Sequence, residues 1–255
     1  MTDPLFLANL EGVKPGDLVT LDGSEGRHAA MVRRIRAGEM VLLSDGAGLA
    51  VRGQVVVAAK DSVDVRVSEP LSRRPPALRT VAVQALAKGE RSDIAVEAMT
   101  EQGVDEIIAW QASRSIVRWQ NKAEKGLTKW RSAAIAATKQ SRRFRIPQVA
   151  YATTDEIVAR VRDADLALVL HEDAEQPLSA LSLPAQGECL FIIGPEGGIS
   201  PDETEAFRAA GAKLVSVADA VLRASTAGVV ALAQVQALSA VSGSAASGLH
   251  AAPGN

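Results

Sequence analysis

The alternation of apolar and polar residues changes its rhythm near residue 72. Before that point, short runs such as Asp17-Leu18-Val19-Thr20-Leu21, Glu39 to Ser44, Val51 to Val57 and Val63-Asp64-Val65-Arg66-Val67 are separated by turn signals, Asp45-Gly46 among them. Strands spaced this closely predict a small β-barrel over residues 1–72. His28 to Arg36 interrupts them and reads equally as a short helix or a strand. Ser72-Arg73-Arg74-Pro75-Pro76 follows, and its two prolines disfavour both helix and ladder pairing. Residues 73–77 therefore read as a linker.

From Leu78 the pattern alternates between strand and helix: strand Thr80 to Leu86, helix Arg91 to Gln102 stopped by Gly103, strand Asp105 to Trp110, helix Leu127 to Ser141. Beyond Pro147 come helix Thr154 to Val161, strands Leu166 to Leu170 and Leu190 to Ile193, helix Pro201 to Ala210, strand Lys213 to Val217 and helix Thr226 to Val241. Such alternation predicts an α/β domain over residues 78–241, built on a mostly parallel sheet and, by periodicity alone, unknotted and doubly wound. The tail Ser242 to Asn255, rich in Gly, Ser and Ala, is expected to be disordered.

Composition removes several function classes. The 255 residues are 47% hydrophobic and 23% charged, which suits a globular protein with real cores. A lone cysteine, Cys189, excludes a disulfide framework and fits a reducing, cytoplasmic address. Met1-Thr2-Asp3-Pro4 lacks a signal-peptide pattern, and no apolar run approaches the ~20 residues of a membrane helix, so neither secretion nor membrane insertion is expected. The Rossmann, P-loop and zincin motifs are absent, and His28, His171 and His250 lie far apart, which favours chemistry without a metal.

Net charge is only −2, but it is segregated. Between Ala112 and Pro147 stand Arg114, Arg118, Lys122, Lys125, Lys129, Arg131, Lys139, Arg142, Arg143 and Arg145, opposed by Glu124 alone. With Arg27, Arg33, Arg34 and Arg36 near the N-terminus, this makes a candidate surface for a polyanion such as RNA. A solvated helix face is the plain alternative, although such faces usually interleave the two signs. Trp110, Trp119 and Trp130 could stack on bases, but a chain with 3% aromatic residues generally spends tryptophan on cores or dimer contacts.

Two segments carry candidate chemistry. In Leu190 to Glu203 a buried strand ends in Gly194-Pro195-Glu196-Gly197-Gly198, and a helix then starts with Ser200 as cap, Pro201 in the first position and Glu203 completing a capping box. The carboxyl end of a parallel strand is where open α/β sheets bind ligands. Glu196, Asp202 and Glu203 around these amides would repel an anion, so the loop suits a cationic or neutral ligand; a tight turn without a ligand is the alternative. In the second segment, Val221 to Leu232, Ser225 or Thr226 caps the last helix and Arg223 precedes it. An arginine at the positive end of a helix dipole needs an acidic or polarised partner, or a surface ion pair with Asp219.

Together these segments resemble the ribosomal RNA small subunit methyltransferase E family of the SPOUT superfamily. The resemblance rests on Gly194-Pro195-Glu196-Gly197-Gly198 with Ser200-x-Asp202-Glu203, and on Val221-Leu222-Arg223-x-x-Thr226-Ala227. It extends through Lys88-Gly89-Glu90, Glu101-Gln102-Gly103-Val104, Arg114-Ser115, Trp130, Ala133-x-x-Ala136-Ala137-x-x-Gln140-Ser141-x-Arg143-x-x-x-Pro147, and His28 with Val32, Arg34, Gly38 and Asp45-Gly46, covering roughly residues 5–240. It implies an N-terminal PUA-like β-barrel, a C-terminal domain with a deep trefoil knot, a homodimer, and S-adenosylmethionine-dependent methylation of N3 of uridine 1498 in 16S ribosomal RNA of the small subunit. The implied cofactor loops are Leu170-His171-Glu172, Ile193 to Gly198 including Pro195, and Val217 to Ala227 including Leu222, Arg223, Ala224, Ser225 and Thr226. Implied RNA contacts are Arg33, Arg34, Arg36, Lys88, Arg114, Gln140, Arg142, Arg143 and Arg145.

The chain departs from the family pattern at Ala220 and Ser225, where an arginine and a glutamate are common, and at Lys139, Gln102 and Leu5. Arg223 is therefore the surviving basic group of its loop. Removing the N3 proton of uridine leaves negative charge on N3, O2 and O4, which must be stabilised. Arg223 is expected to do this, with Glu196 orienting the loop. A non-catalytic RNA-binding or ribosome-assembly module and a SPOUT enzyme acting on another RNA are the competing readings.

Overall fold

The computed structural model describes residues 3–73 and 75–248, and the chain forms two compact units, Met1–Pro75 with Ile135–Ile146 and Pro76–Ala134 with Pro147–Asn255. The first contains strands β1 (Leu5–Leu7), β2 (Leu18–Leu21), β3 (Met40–Ser44), β4 (Leu49–Ala58) and β5 (Val63–Ser72), in the order β1-β3-β4-β5-β2. β1 runs parallel to β3 and the other pairs are antiparallel. Period-2 alternation sends Val41 and Leu43, Val55, and Val63, Val65 and Val67 into one core with Phe6 and Leu21. Asp45 closes the β3–β4 hairpin: its Oδ1 accepts the N–H groups of Ala47, Gly48 and Leu49 at 2.7, 3.0 and 3.0 Å. The interruption at His28 is helical, a short helix α1 (Gly23–Arg27) running into one π-helical turn, His28–Val32.

One segment overrides sequence order. Residues 135–146, read above as part of the second domain, belong to the first unit. Phe144 packs with Leu5 and Ala50, the Ser44 hydroxyl donates to the Phe144 carbonyl at 3.1 Å, and Lys139 pairs with Glu25 at 2.6 Å.

The second unit is built on a six-stranded sheet, every pair of it parallel, ordered β11-β9-β10-β6-β7-β8. Its strands are β6 (Leu78–Ala85), β7 (Glu106–Trp110), β8 (Gln148–Ala152), β9 (Leu166–Leu170), β10 (Gly187–Ile193) and β11 (Lys213–Val215). Its helices are α2 (Arg91–Gln102), α3 (Ala123–Ser141, which passes into the first unit at Ile135), α4 (Thr154–Asp163), α5 (Pro201–Ala209) and α6 (Ala227–Gly248). Central strands covered on both faces become continuous apolar runs, as in Leu190-Phe191-Ile192-Ile193. Val81, Val83, Ile108, Leu190 and Ile192 pack toward Phe207 of α5 and Ile157 of α4. On the other face α6 crosses α2, β6 and β10. Gly228 permits that crossing, since a Cβ there would lie 2.7 Å from the Met99 sulfur. Gly103, at φ 93°, ends α2 in the left-handed conformation.

Two strands escape the sequence reading, β1, of three residues, and β8, an edge strand in which only Val149 is buried. The expected tail also differs: α6 continues to Gly248, because Ala and Ser extend a helix at little cost, while residues 249–255 lie outside the described residues. Trp110 and Trp130 are buried, Trp110 edge-on to Phe207 and Trp130 edge-on to Trp119, so both serve the core rather than base stacking.

At the amino edge of the sheet Glu106 and Glu188 are clamped by two arginines. Arg79 reaches both carboxylates at 2.6 Å, and Arg160 reaches them at 2.7 and 2.9 Å. Burial pushes both carboxyls up, but hydrogen bonds and charge from Arg160 and Arg79 outweigh it and hold them below the ordinary glutamate value. A depressed folded-state pKa contributes stability that is complete above the unfolded value, about 4.3, and is lost as pH falls through the folded value. Glu106→Gln should cost about 3 kcal/mol at neutral pH. It should also flatten the fall of melting temperature between about pH 5 and pH 2, measured by thermal unfolding across that range.

Candidate active site

Because all six strands run the same way, the loops that follow them open on one edge of the sheet. Five of the six contribute to a cleft of about 560 Å³ there. Leu170, His171, Glu172 and Asp173 come from the end of β9, and Ile193 to Ile199 from the end of β10. Val221, Leu222, Arg223, Ala224 and Ala227 come from the chain after β11, Arg91 from the start of α2 after β6, and Arg114 from the loop after β7.

The β10 loop is shaped by its glycines. Gly198 sits at φ +71°, and its N–H closes a turn on the Pro195 carbonyl at 2.9 Å. A Cβ on Gly194 would lie 2.9 Å from Ile199 Cγ1, and one on Gly197 would lie 3.2 Å from the Arg114 carbonyl. Glu196 Oε1 accepts the Lys88 backbone N–H and Arg91 Nη1, both at 3.0 Å. Burial pushes its carboxyl up; the backbone donors and the Arg91 guanidinium more than reverse this and keep it ionised. It is thus a weak base that ties this loop to the one after β6.

A second tie joins the β10 loop to the one after β7. Ser200 and Glu203 form the expected capping box at the start of α5. The same buried Glu203 carboxylate also accepts the Ser113 N–H at 2.7 Å and the Ser113 hydroxyl at 2.8 Å. Next to Ser113, Arg114 donates to the Gly197 carbonyl at 3.3 Å. Burial pushes the Glu203 carboxyl up, but its donors on Ser113 and Ser200 prevail and hold it below the ordinary value.

In the chain after β11, Val217 is held by a 2.8 Å bond from the Gln234 amide to its carbonyl, and it lines a smaller recess of about 60 Å³ together with His171 and Ala220. The Arg223 carbonyl accepts from the Thr226 and Ala227 N–H groups at 2.9 and 3.0 Å, while its side chain is exposed and forms no ion pair among the described residues. Pairing with Asp219 is therefore not realised. Ser225 and Thr226 line neither cavity: Ser225 is buried, and α6 begins one residue after Thr226.

The cleft's electrostatics differ from the expectation. Asp202 and Glu203 do not line it, Glu203 being turned to Ser113, while Arg91, Arg114 and Arg223 do, facing Glu172, Asp173 and Glu196. Such a cleft accepts a ligand carrying both signs of charge. Arg114, grouped by sequence with the basic stretch, is a cleft residue, and Val221 of the implied cofactor loop lines it too; Arg91 and Asp173 were not singled out, although Arg91 directly follows the Lys88-Gly89-Glu90 motif. The basic stretch is no single face. Lys129 pairs with Asp93, Arg131 with Glu124 and Lys139 with Glu25, each at 2.6 Å, and Gln140, Arg142, Arg143 and Arg145 belong to the first unit with exposed Arg33, Arg34 and Arg36. Lys88 is exposed at the start of the α2 loop.

The parallel α/β sheet with a glycine-walled cleft at its carboxyl edge, and the small β domain that precedes it in the chain, both match parts of RNA methyltransferases. Residues 74–236 match the RNA methyltransferase domain family and residues 21–68 the RNA methyltransferase PUA domain. The chain is 43% identical over 229 residues to ribosomal RNA small subunit methyltransferase E of Mycobacterium bovis, covering 88% of this chain and 87% of that one. It is also similar in structure to the Neisseria gonorrhoeae enzyme of that name, solved bound to S-adenosylmethionine (27% identity, TM-score 0.83, 93% and 98% of the two chains). A Legionella pneumophila methyltransferase solved with the same cofactor matches at 28% identity and TM-score 0.81, over 93% and 98%. The chain belongs to the ribosomal RNA small subunit methyltransferase E family.

Replacing Glu203 by Ala removes the acceptor of four donors and should cost about 2–3 kcal/mol. Amide exchange at Ser113 and Ser200 should accelerate together, as read by hydrogen–deuterium exchange; acceleration at Ser200 alone would reduce Glu203 to a helix cap.

Proposed function

We propose that this chain methylates N3 of uridine 1498 in 16S ribosomal RNA of the small ribosomal subunit, with S-adenosylmethionine as methyl donor. On this reading it works in the cytoplasm as a homodimer, with a PUA-like barrel at its N-terminus and a deep trefoil knot in its C-terminal domain. The observation that carries the reading is the cleft at the carboxyl edge of the parallel sheet, walled by Gly194 to Gly198 and Val221 to Ala224 in a chain of this family.

The residues of the cleft fit the donor. Its volume is in the range of small-ligand sites. Leu170, Ile193, Leu222, Ala224 and Ala227 offer an apolar lining for a nucleoside base, Glu172 and Asp173 offer counter-charges to an ammonium group, and an arginine can receive a carboxylate. At Gly194 and Gly197 any side chain would intrude on Ile199 or Arg114, so backbone alone forms that wall. When bound, the donor supplies an electrophilic methyl group.

Uridine N3 is protonated at neutral pH; methyl transfer to it releases that proton to water, and the deprotonation spreads negative charge over N3, O2 and O4. Arg223 is exposed at the cleft with no competing carboxylate among the described residues, so its planar fork is available to two pyrimidine oxygens. Glu196, ionised and doubly bonded, orients the loop. A stacked uridine cannot enter such a cleft, so the target base is unpaired or flipped out. The reading is tested by mapping uridine methylation in 16S ribosomal RNA by mass spectrometry, in cells with and without this protein. Loss of the mark only in its absence supports it; an unchanged mark with a lost mark in another RNA points to a different substrate, and no lost mark points to a non-catalytic module.

Arg223→Ala should slow single-turnover methylation of small subunits by about 10²–10³ while cofactor affinity stays near wild type, and Arg223→Lys should recover only part of the rate. Rate and cofactor affinity falling together would make Arg223 a residue that orders its loop.

A further inference from the structure

The π-helical turn His28–Val32 presents an unusual surface. Its defining bond runs from the Arg33 N–H to the His28 carbonyl at 2.9 Å, and Ile35 N–H reaches back to the Ala29 carbonyl at 3.1 Å. Ala29 and Ile35 are buried in the core of the first unit, so the turn is pinned from inside at both ends. Between these anchors Met31 and Val32 project outward, 57% and 68% exposed. Arg34, at φ 54°, then reverses the chain. Arg33, Arg34 and Arg36 are exposed, and none forms an ion pair among the described residues. Glu25, on the preceding helix, is already engaged: it accepts both Lys139 at 2.6 Å and the Leu7 N–H at 3.0 Å.

An isolated exposed apolar residue needs no explanation. Two adjacent ones on a turn held by the core, followed by three unpaired guanidiniums, form a shape with specific chemistry. A membrane surface or an acidic protein could also meet arginines, but the apolar part here is only two side chains wide, about the span of one base step, and far smaller than a membrane-seeking helix face. Pinning from both ends makes the pair a rigid protrusion, which suits insertion rather than broad adhesion. Proteins that kink nucleic acids use apolar side chains of this size as wedges between bases, with flanking arginines on the backbone.

We propose that Met31 and Val32 form a wedge that opens a base step in structured RNA while Arg33, Arg34 and Arg36 hold the flanking phosphates. This rests on the RNA substrate proposed above and adds a role for the first unit: unstacking RNA, in addition to gripping it. Unstacking costs a few kcal/mol per step, so the arginines must supply the affinity and the apolar pair the distortion. The two contributions are separable.

The test uses the full chain and RNA hairpins built around the target uridine, with 2-aminopurine placed at one helical step at a time, read at saturating protein. Wild type should raise fluorescence at one step. Met31→Ser/Val32→Ser, both at exposed positions and checked for an unchanged melting temperature, should bind within about threefold of wild type, because the phosphate contacts supply the affinity, yet lose that rise. Arg33→Ala/Arg34→Ala/Arg36→Ala should lose affinity about tenfold or more and lower the logarithmic salt slope by about 2. A rise that survives in the double serine variant, or wild-type binding without any rise, overturns the wedge and leaves the RNA substrate standing. No hairpin binding by wild type overturns the wedge; no binding to small subunits as well, with or without binding to phosphatidylglycerol vesicles in a parallel sedimentation assay, overturns the RNA reading with it.

Discussion

The second unit is organised by one constraint: every strand of its sheet runs in the same direction. Parallel pairing forces each connection to cross the sheet and return, so all the amino ends gather on one edge and all the carboxyl ends on the other. Loops from five strands consequently meet over one cleft. Two carboxylates tie three of these loops together, Glu196 reaching the loop after β6 and Glu203 reaching Ser113 after β7.

The two edges of the sheet use charge differently. At the amino edge, two glutamates and two arginines satisfy one another in a closed network, so their charges serve the fold. At the carboxyl edge Arg114 and Arg223 carry no carboxylate partner among the described residues and stand in the cleft wall with Glu172 and Asp173. Charges left without such a closed set at a concave surface are available to a ligand. That contrast separates ionic residues closed within the fold from those open to a ligand better than their number along the chain does.

The first unit shows how a small β domain acquires a binding surface. Its core takes Phe6, Val41, Leu43 and Val65 from alternating strand positions, and the turn after α1 spends Ala29 and Ile35 on the same core. Between those two anchors Met31, Val32, Arg33 and Arg34 are left exposed. The returning segment Ile135–Ile146 adds Phe144 to a satellite cluster with Leu5 and Ala50, and brings its basic residues to this unit.

Local signals made much of this legible in the sequence. Ser200, Pro201 and Glu203 state where α5 begins, Gly103 states where α2 ends, and the apolar run at Leu166 to Leu170 is a strand with those bounds. The glycine loop Gly194 to Gly198 and Arg223 were identified for the same reason, since turn geometry and helix starts are written within a few residues. What escaped was set by contacts distant in sequence. β1 has three residues and β8 buries only Val149, so neither declares itself without β3 and β7 to pair with. Arg114 read as one charge in a basic run until the Ser113–Glu203 bond, 90 residues apart, carried it into the cleft wall. The basic run itself was divided between two units by the packing of Phe144. Periodicity and capping depend on neighbours along the chain, and so the sequence alone determined them. Which loop a carboxylate ties, and which arginine is left for a ligand, depends on neighbours in space, and only the tertiary structure decided that.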